Sequence, residues 1–200
     1  MIHSNNLKSD LQAALEHSGA SSSDFDLNPE LVAPSENLRE AAVLVAFQNT
    51  QNGAEIVLTK RSSALKHHPG QIAFPGGKRD SGDDNLAATA IREAEEEISL
   101  PAKSVHLLGT LPPHITVTNF NVTPYVGWID APAAFEIETG EVAEVFTVPA
   151  AHLLKPGNFR IEGRMWRGQI RRYYTVPFGP YYIWGATARM LHALAQRMER

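Results

Sequence analysis

The 200-residue chain contains no cysteine, so disulfides, a catalytic thiolate and cysteine-ligated zinc or iron–sulfur clusters are all excluded. The chain also lacks a large excess of one charge, because 18 lysines and arginines stand against 22 aspartates and glutamates. A formal net charge of -4 gives no broad basic field, which argues against nucleic acid and an anionic membrane surface as partners. A small-molecule partner is therefore expected.

Long apolar runs are missing as well. No window approaches the roughly 20 apolar residues that span a bilayer, and the first residues, MIHSNNLKSDLQ, lack the apolar core of a signal peptide. A cytoplasmic location is therefore expected. The apolar fraction of 43% and the charged fraction of 20% are near the averages of folded proteins, which predicts a globular chain with one main domain.

The N-terminal part of the chain differs from the rest. Leucines and alanines at helical spacing predict a helix over residues 7–18, with Ser9 as its N-cap, and a loop follows. Residues 1–36 are interpreted as an accessory helix and linker. Residues 37–200 are interpreted as the main domain.

Short β-rich runs fill most of the main domain and are interrupted by helical patterns. One helix is predicted from Asn85 to Ile98, with Asp83 or Asp84 placed to cap it, and another from Pro180 to Met198. Strands, a helix, more strands and a final helix predict a mixed β-sheet between helices, an α/β fold. The predicted strands, of which the first two and the last two form hairpins, are residues 41–47, 54–61, 106–111, 122–129, 144–149, 159–166 and 171–178.

The stretch IREAEEEISL crowds four glutamates into five consecutive residues. At about 100° per residue, Glu93, Glu96 and Glu97 share one sector of a helix, where like charges repel. Hard divalent cations such as Mg²⁺ and Mn²⁺ bind several oxygen ligands and would relieve this repulsion. The alternative is a solvated helix face on which Arg92 and Glu96 form an ion pair.

The residues around these glutamates carry a family resemblance. In FPGGKRDSGDDNLAATAIREAEEEISL, Gly77, a polar loop, Arg92-Glu93 and Glu96-Glu97 follow one another, and this order resembles the Nudix box of the Nudix hydrolases. Those enzymes cleave a nucleoside diphosphate linked to another group. The loop is one residue longer than in the commonest box.

The preceding stretch, VLTKRSSALKHHPGQIAFPGG, is similar to the signature of the coenzyme A pyrophosphatase branch of that family, which shares the longer loop. Lys60, Arg61 and Lys66 form a basic cluster suited to phosphate oxygens. Two glycines let the loop pass close to a ligand. Arg61, Lys66, Gly76 and Gly77 are the candidate substrate-binding residues.

The resemblance implies a Nudix-type α/β/α sandwich that hydrolyses the pyrophosphate of coenzyme A, giving 4'-phosphopantetheine and 3',5'-ADP. It implies that Glu93, Glu96 and Glu97, with the backbone carbonyl of Gly77, hold Mg²⁺ or Mn²⁺. Arg92 is expected to orient the glutamates rather than to react, because a guanidinium stays protonated near neutral pH.

Several alternatives stay open at this point. The substrate is coenzyme A or another nucleoside diphosphate derivative such as NADH or ADP-ribose, because the box specifies the bond and not the attached groups. A nucleotide-binding regulator without turnover is a further alternative. The candidates for the general base are Glu93, Glu141 and Glu144, and a homodimer is one possible assembly.

Overall fold

The structure, a computed structural model, describes residues 4–16, 19–31, 37–65, 68–166 and 168–199. No helix among these residues is both long and apolar enough to cross a membrane. The helices are α1 (Ser4–Glu16), α2 (Leu86–Ile98), α3 (Ala150–Leu153) and α4 (Gly185–Met198). The strands are β1 (Ser22–Ser23), β2 (Arg39–Thr50), β3 (Gly53–Arg61), β4 (Ile72–Ala73), β5 (Gly76–Lys78), β6 (His106–Thr110), β7 (His114–Ile115), β8 (Phe120–Ile129), β9 (Val142–Pro149), β10 (Arg160–Trp166) and β11 (Gln169–Thr175).

A mixed sheet is built around β2. This strand runs parallel to β8 and turns at Gly53, in the left-handed region with φ 110°, into the antiparallel strand β3. Beyond β3 lie β4 and β9, β5 pairs with β2, and β8 also holds β6 and β7. The two predicted hairpins are confirmed, because β2 pairs with β3, and β10 pairs with β11 in a separate two-stranded sheet.

Helices cover both faces of the sheet, since successive side chains of a strand point to opposite sides. On β2, Phe47 enters a core shared with Leu11 of α1 and Leu191 of α4. Its neighbour Ala46 enters a second core shared with Ala94 of α2. The predicted α/β/α sandwich is confirmed.

Two predicted helix starts are wrong. Helix α1 includes Ser9 in its interior, because the helix continues for more than a turn before this residue, and Ser9 is not an N-cap. Helix α4 begins at Gly185 and not at Pro180. The reason is a tight turn around Pro180, where the backbone groups of Phe178 and Tyr181 exchange two hydrogen bonds of 2.9 Å.

Candidate active site

Helix α2 carries the crowded glutamates, and local chemistry defines its ends. Asn85 directly precedes the helix, and its side chain accepts a 3.0 Å hydrogen bond from the N–H of Ala88. The predicted capping by Asp83 or Asp84 is therefore wrong. At the other end Ser99 adopts the left-handed conformation, with φ 54°, and its N–H bonds back to carbonyls of the last turn.

Glu97 is the most buried of the glutamates, with 3% of its surface exposed. Its Oε2 accepts a 3.2 Å hydrogen bond from the N–H of Gly76, and its Oε1 lies 3.9 Å from Nη1 of Arg61. Burial raises the pKa of Glu97 to about 7, although Gly76 and Arg61 act in the opposite direction. The sheet and the helix thus meet at one buried carboxyl group.

Glu93 lies against Gly77, which belongs to strand β5 and not to the expected loop. A Cβ atom at Gly77 would be 2.5 Å from the carboxylate carbon of Glu93, so any larger residue at this position would displace that carboxylate. Oε1 of Glu93 is 3.0 Å from Nη1 of Arg92. Burial raises the pKa of Glu93, and the charge of Arg92 partly offsets this effect. Backbone and carboxylate are therefore held in close contact.

Arg92 connects the helix to the preceding loop. Its Nε and Nη2 donate to the two oxygens of Asp83 at 2.9 and 3.0 Å, a bidentate pair, and its Nη1 donates to Glu96 at 2.8 Å. The Asp83 carboxylate also accepts hydrogen bonds from the hydroxyl of Thr89 and the N–H of Asp80. The hydrogen bonds from Arg92 hold the pKa of Asp83 well below its usual range. Sequence reasoning missed this role of Asp83.

The predicted metal ligands are neighbours, but they do not converge on one point. Among the described residues, no group of three or more aspartate, glutamate or histidine side chains is arranged to hold one metal ion. Glu93 and Glu96 both contact Nη1 of Arg92, and the side chain of Glu96 is 60% exposed. The ion pair expected for a solvated helix face is thus present.

The donor chemistry nevertheless fits a hard divalent cation. Three carboxylates lie within five residues of one helix, and oxygen ligands are those that Mg²⁺ and Mn²⁺ prefer. The buried oxygen Oε1 of Glu97 lies beyond hydrogen-bond distance of Arg61. Glu93 and Glu96 each contact Arg92 through one oxygen, so binding of one ion by all three carboxylates requires their oxygens to come closer together than they lie here.

The candidate substrate-binding residues have different outcomes. Arg61 at the end of β3 and Gly76 and Gly77 of β5 lie beside the glutamates of α2. Lys66 falls outside the described residues. The binding roles of all four residues stay predictions.

The two downstream candidates for the general base are distinguished by their surroundings. The charge of Glu141 raises the pKa of both Glu93 and Glu97, so Glu141 lies near the carboxylates of α2. Glu144 instead accepts a hydrogen bond from the hydroxyl of Tyr181, whose ring stacks on Phe146 with 3.6 Å between centroids. The charge of Glu141 therefore acts on the carboxylates of α2, whereas Glu144 is hydrogen-bonded to Tyr181.

Known proteins are similar to this chain in sequence and in fold. The NUDIX domain family model matches residues 38–165. Nudix hydrolase NudL of Cronobacter sakazakii, described as uncharacterized, is 40% identical over 169 residues, which are 84% of this chain and 88% of that protein. NudL of Citrobacter koseri is 39% identical with the same coverage. The crystal structure of the M. smegmatis Nudix hydrolase RenU is 24% identical, covers 57% of this chain and 72% of that chain, and has a TM-score of 0.49.

Proposed function

This chain belongs to the NUDIX domain family and is a hydrolase of pyrophosphate bonds, and from that premise we propose that its substrate is coenzyme A or a derivative. The products are 4'-phosphopantetheine and 3',5'-ADP. The stretch VLTKRSSALKHHPGQIAFPGG, which is similar to the coenzyme A pyrophosphatase signature, supports this choice of substrate. The reaction requires a divalent ion, for which Mg²⁺ and Mn²⁺ are the candidates.

One observation carries the proposal. The stretch that resembles the coenzyme A signature and the helix that resembles the Nudix box meet at the buried Glu97, through Arg61 and the N–H of Gly76. Arg61 is 3.9 Å from Glu97, so its guanidinium has donors left for phosphate oxygens. The positions of Arg61 and Gly76 beside Glu97 support a single site for the substrate and the metal.

The residues of this site take distinct roles in the proposed reaction. Glu93, Glu96 and Glu97, with the carbonyl of Gly77, are the residues that would hold the metal. When bound, such an ion neutralises pyrophosphate charge and lowers the pKa of water. Arg92 is held on Asp83 by its bidentate pair, so it keeps the helix and the preceding loop in place and orients the glutamates.

Arg61 and Lys66 contact the substrate phosphates in this proposal. A general base is needed to take the proton of the attacking water. Glu141 and Glu93 are the two candidates, since Glu144 is engaged by Tyr181. Glu93 is itself a carboxylate of α2, and the charge of Glu141 acts on Glu93 and Glu97.

The decisive experiment is product analysis after incubation of the purified chain with coenzyme A, with and without Mg²⁺ or Mn²⁺. Metal-dependent release of 3',5'-ADP is expected. A panel of NADH and ADP-ribose under the same conditions provides the comparison. Faster cleavage of either compound than of coenzyme A would contradict the proposed substrate and keep the pyrophosphatase activity, whereas nucleotide binding without any turnover would favour the regulator.

A further inference from the structure

The hairpin of β10 and β11 lies outside the main sheet, and its two edges differ. On the outer side of β11, the backbone N–H and C=O of Arg172 bond to the side chain of Asn28 at 2.7 and 2.9 Å, and Thr175 forms a bridge with Trp184. On the outer side of β10, no backbone group pairs with any residue of the described ranges. One edge is covered and the other is open.

The register of the hairpin shows which backbone groups of β10 point outward. Trp166 pairs with Gln169, and only two residues separate them along the chain. In a two-residue hairpin this closing pair is hydrogen-bonded, and hydrogen-bonded and non-hydrogen-bonded pairs then alternate. The N–H and C=O groups of Ile161, Gly163 and Met165 therefore point away from β11.

These three positions carry none of the features that usually protect a free strand edge. Strand β10, RIEGRMW, has no proline and no lysine, and its outward positions are apolar or glycine. Ile161 is 53% exposed and Met165 is 68% exposed. An open edge with exposed apolar side chains is a template for pairing with another strand.

The sequence of β10 is complementary to itself when it is read antiparallel about Gly163. Gly163 then lies opposite Gly163 of a second copy, and Glu162 lies opposite Arg164 of that copy. Ile161 lies opposite Met165. Because of the two-fold symmetry, the Glu162–Arg164 pair and the Ile161–Met165 pair would each form twice. Pairs of opposite charge and pairs of apolar side chains across strands both stabilise a sheet.

The charged side chains of β10 are available for such pairs. Arg164 lies over the ring of Trp184 at 4.5 Å and has no carboxylate within ion-pair distance among the described residues. Within the hairpin it lies opposite Arg171, a like charge that is turned toward Asp24 at 3.0 Å. Arg164 therefore forms no ion pair within the described part of the chain.

Glu162 can supply Arg164 with a carboxylate from a second copy. Its Oε2 accepts a 2.6 Å hydrogen bond from the hydroxyl of Tyr182, whereas its Oε1 has no hydrogen bond within the part of the chain that the structure describes. Glu162 and Arg164 lie on the same face of β10, since they are two residues apart. In the antiparallel register about Gly163, each Oε1 faces a guanidinium of the other chain.

We propose that two copies of this chain associate through β10, antiparallel about Gly163, into a four-stranded sheet with two-fold symmetry. A single strand pair buries an area at the low end for specific interfaces, below about 1,200 Å² in total. The dimer is therefore reversible, and its fraction rises with protein concentration.

Sedimentation velocity of the full chain, from micromolar to sub-millimolar concentration, tests the proposal. Glu162→Arg and Arg164→Glu each turn two attractive pairs into two repulsive ones, which weakens the dimer by about tenfold or more. The double variant restores opposite charges at both pairs and returns the dissociation constant to within about threefold of the original. Leu107→Lys is the matched control, because Leu107 is 42% exposed on β6, and this variant keeps the original association.

Glu162→Arg also removes the hydrogen bond from Tyr182, so the thermal unfolding of every variant is recorded. Met165→Lys provides a second route, because Met165 is highly exposed and a charge there opposes edge pairing without disturbing a core contact. Hydrogen exchange adds a direct readout, since the amides of Ile161, Gly163 and Met165 gain protection as concentration rises. A chain that stays monomeric throughout overturns the proposal, and so does a dimer that withstands the two charge reversals or Met165→Lys.

Discussion

Glu97 shows how a single residue connects the fold to the chemistry. Its carboxyl group is almost fully buried and has one backbone hydrogen bond and a distant guanidinium to compensate. Burial of a charged group with so few partners costs stability. Strongly perturbed carboxyl groups in clefts are common at functional sites. The burial and the raised pKa of Glu97 therefore mark it as a candidate functional residue.

Replacement of Glu97 by glutamine tests its proposed metal-ligand role. Glutamine keeps the size of the side chain but carries no charge, so we expect a folded protein whose turnover of the pyrophosphate substrate falls by about a hundredfold or more. Steady-state kinetics at saturating Mg²⁺ measures this loss. Glu95→Gln is the control, because Glu95 is exposed on the same helix. Near-normal turnover of Glu97→Gln would rule out the ligand assignment.

A side chain at Gly77 would collide with the carboxylate of Glu93. In Gly77→Ala the new methyl group would lie 2.5 Å from the carboxylate carbon of Glu93, so the carboxylate must move. A displacement of about 1 Å at a catalytic group can cost about a hundredfold in rate. We therefore expect a comparable loss of turnover, measured with the same assay.

Gly82→Ala provides the comparison for Gly77→Ala. Gly82 lies in the loop that follows β5, and a Cβ atom there meets nothing within 4 Å. We expect this variant to keep its turnover. Equal activities of the two alanine variants would show that the contact between Gly77 and Glu93 has no role in turnover.

At the level of elements, sequence periodicity predicted the bounds of α2, but it did not predict the contacts of the loop before the helix. The helix predicted from Asn85 to Ile98 is observed as Leu86–Ile98, because apolar spacing and the cap both act locally. The role of Asp83 was missed because its partner Arg92 lies nine positions further along, and loop geometry decides which side chains meet. Asn85 is the N-cap because it directly precedes the first helical residue.

The pair of Asp83 and Arg92 predicts a pH-dependent stability. The folded pKa of Asp83 lies below its unfolded value of about 3.9, so its contribution is fully present above pH 4 or so and is lost as the pH falls through the folded pKa. We expect Asp83→Asn to lower the melting temperature by several degrees at pH 7. The difference from the unaltered chain should shrink at more acidic pH.

Thermal unfolding followed by circular dichroism between about pH 2 and pH 7 measures this difference, because most of the loss is expected below the unfolded pKa of Asp83. Asp84→Asn is the control, because Asp84 is exposed and adjacent in sequence. A melting-temperature difference that stays constant over this pH range would show that the charge of Asp83 does not contribute through Arg92.

At the level of the whole molecule, the sequence predicted the longer strands and two hairpins, but not the short strands β1, β4, β5 and β7 or the order of the strands in the sheet. Strand β2 pairs in parallel with β8 over ten positions, although they are separated by the whole of α2 and its loops. Such long-range register depends on complementary packing of both faces and not on local pattern. For the same reason the glutamates of α2 could be identified as candidates from the sequence, whereas the distances among them could not.

The packing of α1 bears on the proposed division at residue 36. Leu7 and Leu11 of α1 lie in the same core as β2 and α4. In the segment that follows α1, the side chain of Asn28 is hydrogen-bonded to the backbone of Arg172 in β11. Helix α1 therefore packs on the same face of the sheet as α4. The boundary itself stays a prediction, and the energetic role of α1 can be measured.

Leu11→Ala tests whether α1 is part of the stable core or an accessory. Leu11 is fully buried, so its truncation should lower the free energy of unfolding by about 2–5 kcal/mol. Urea unfolding followed by tryptophan fluorescence measures the change, and Gln12→Ala, at an exposed position on the same helix, should leave stability within about 0.5 kcal/mol. If Leu11→Ala were as harmless as Gln12→Ala, α1 would be an accessory to a core that is stable without it.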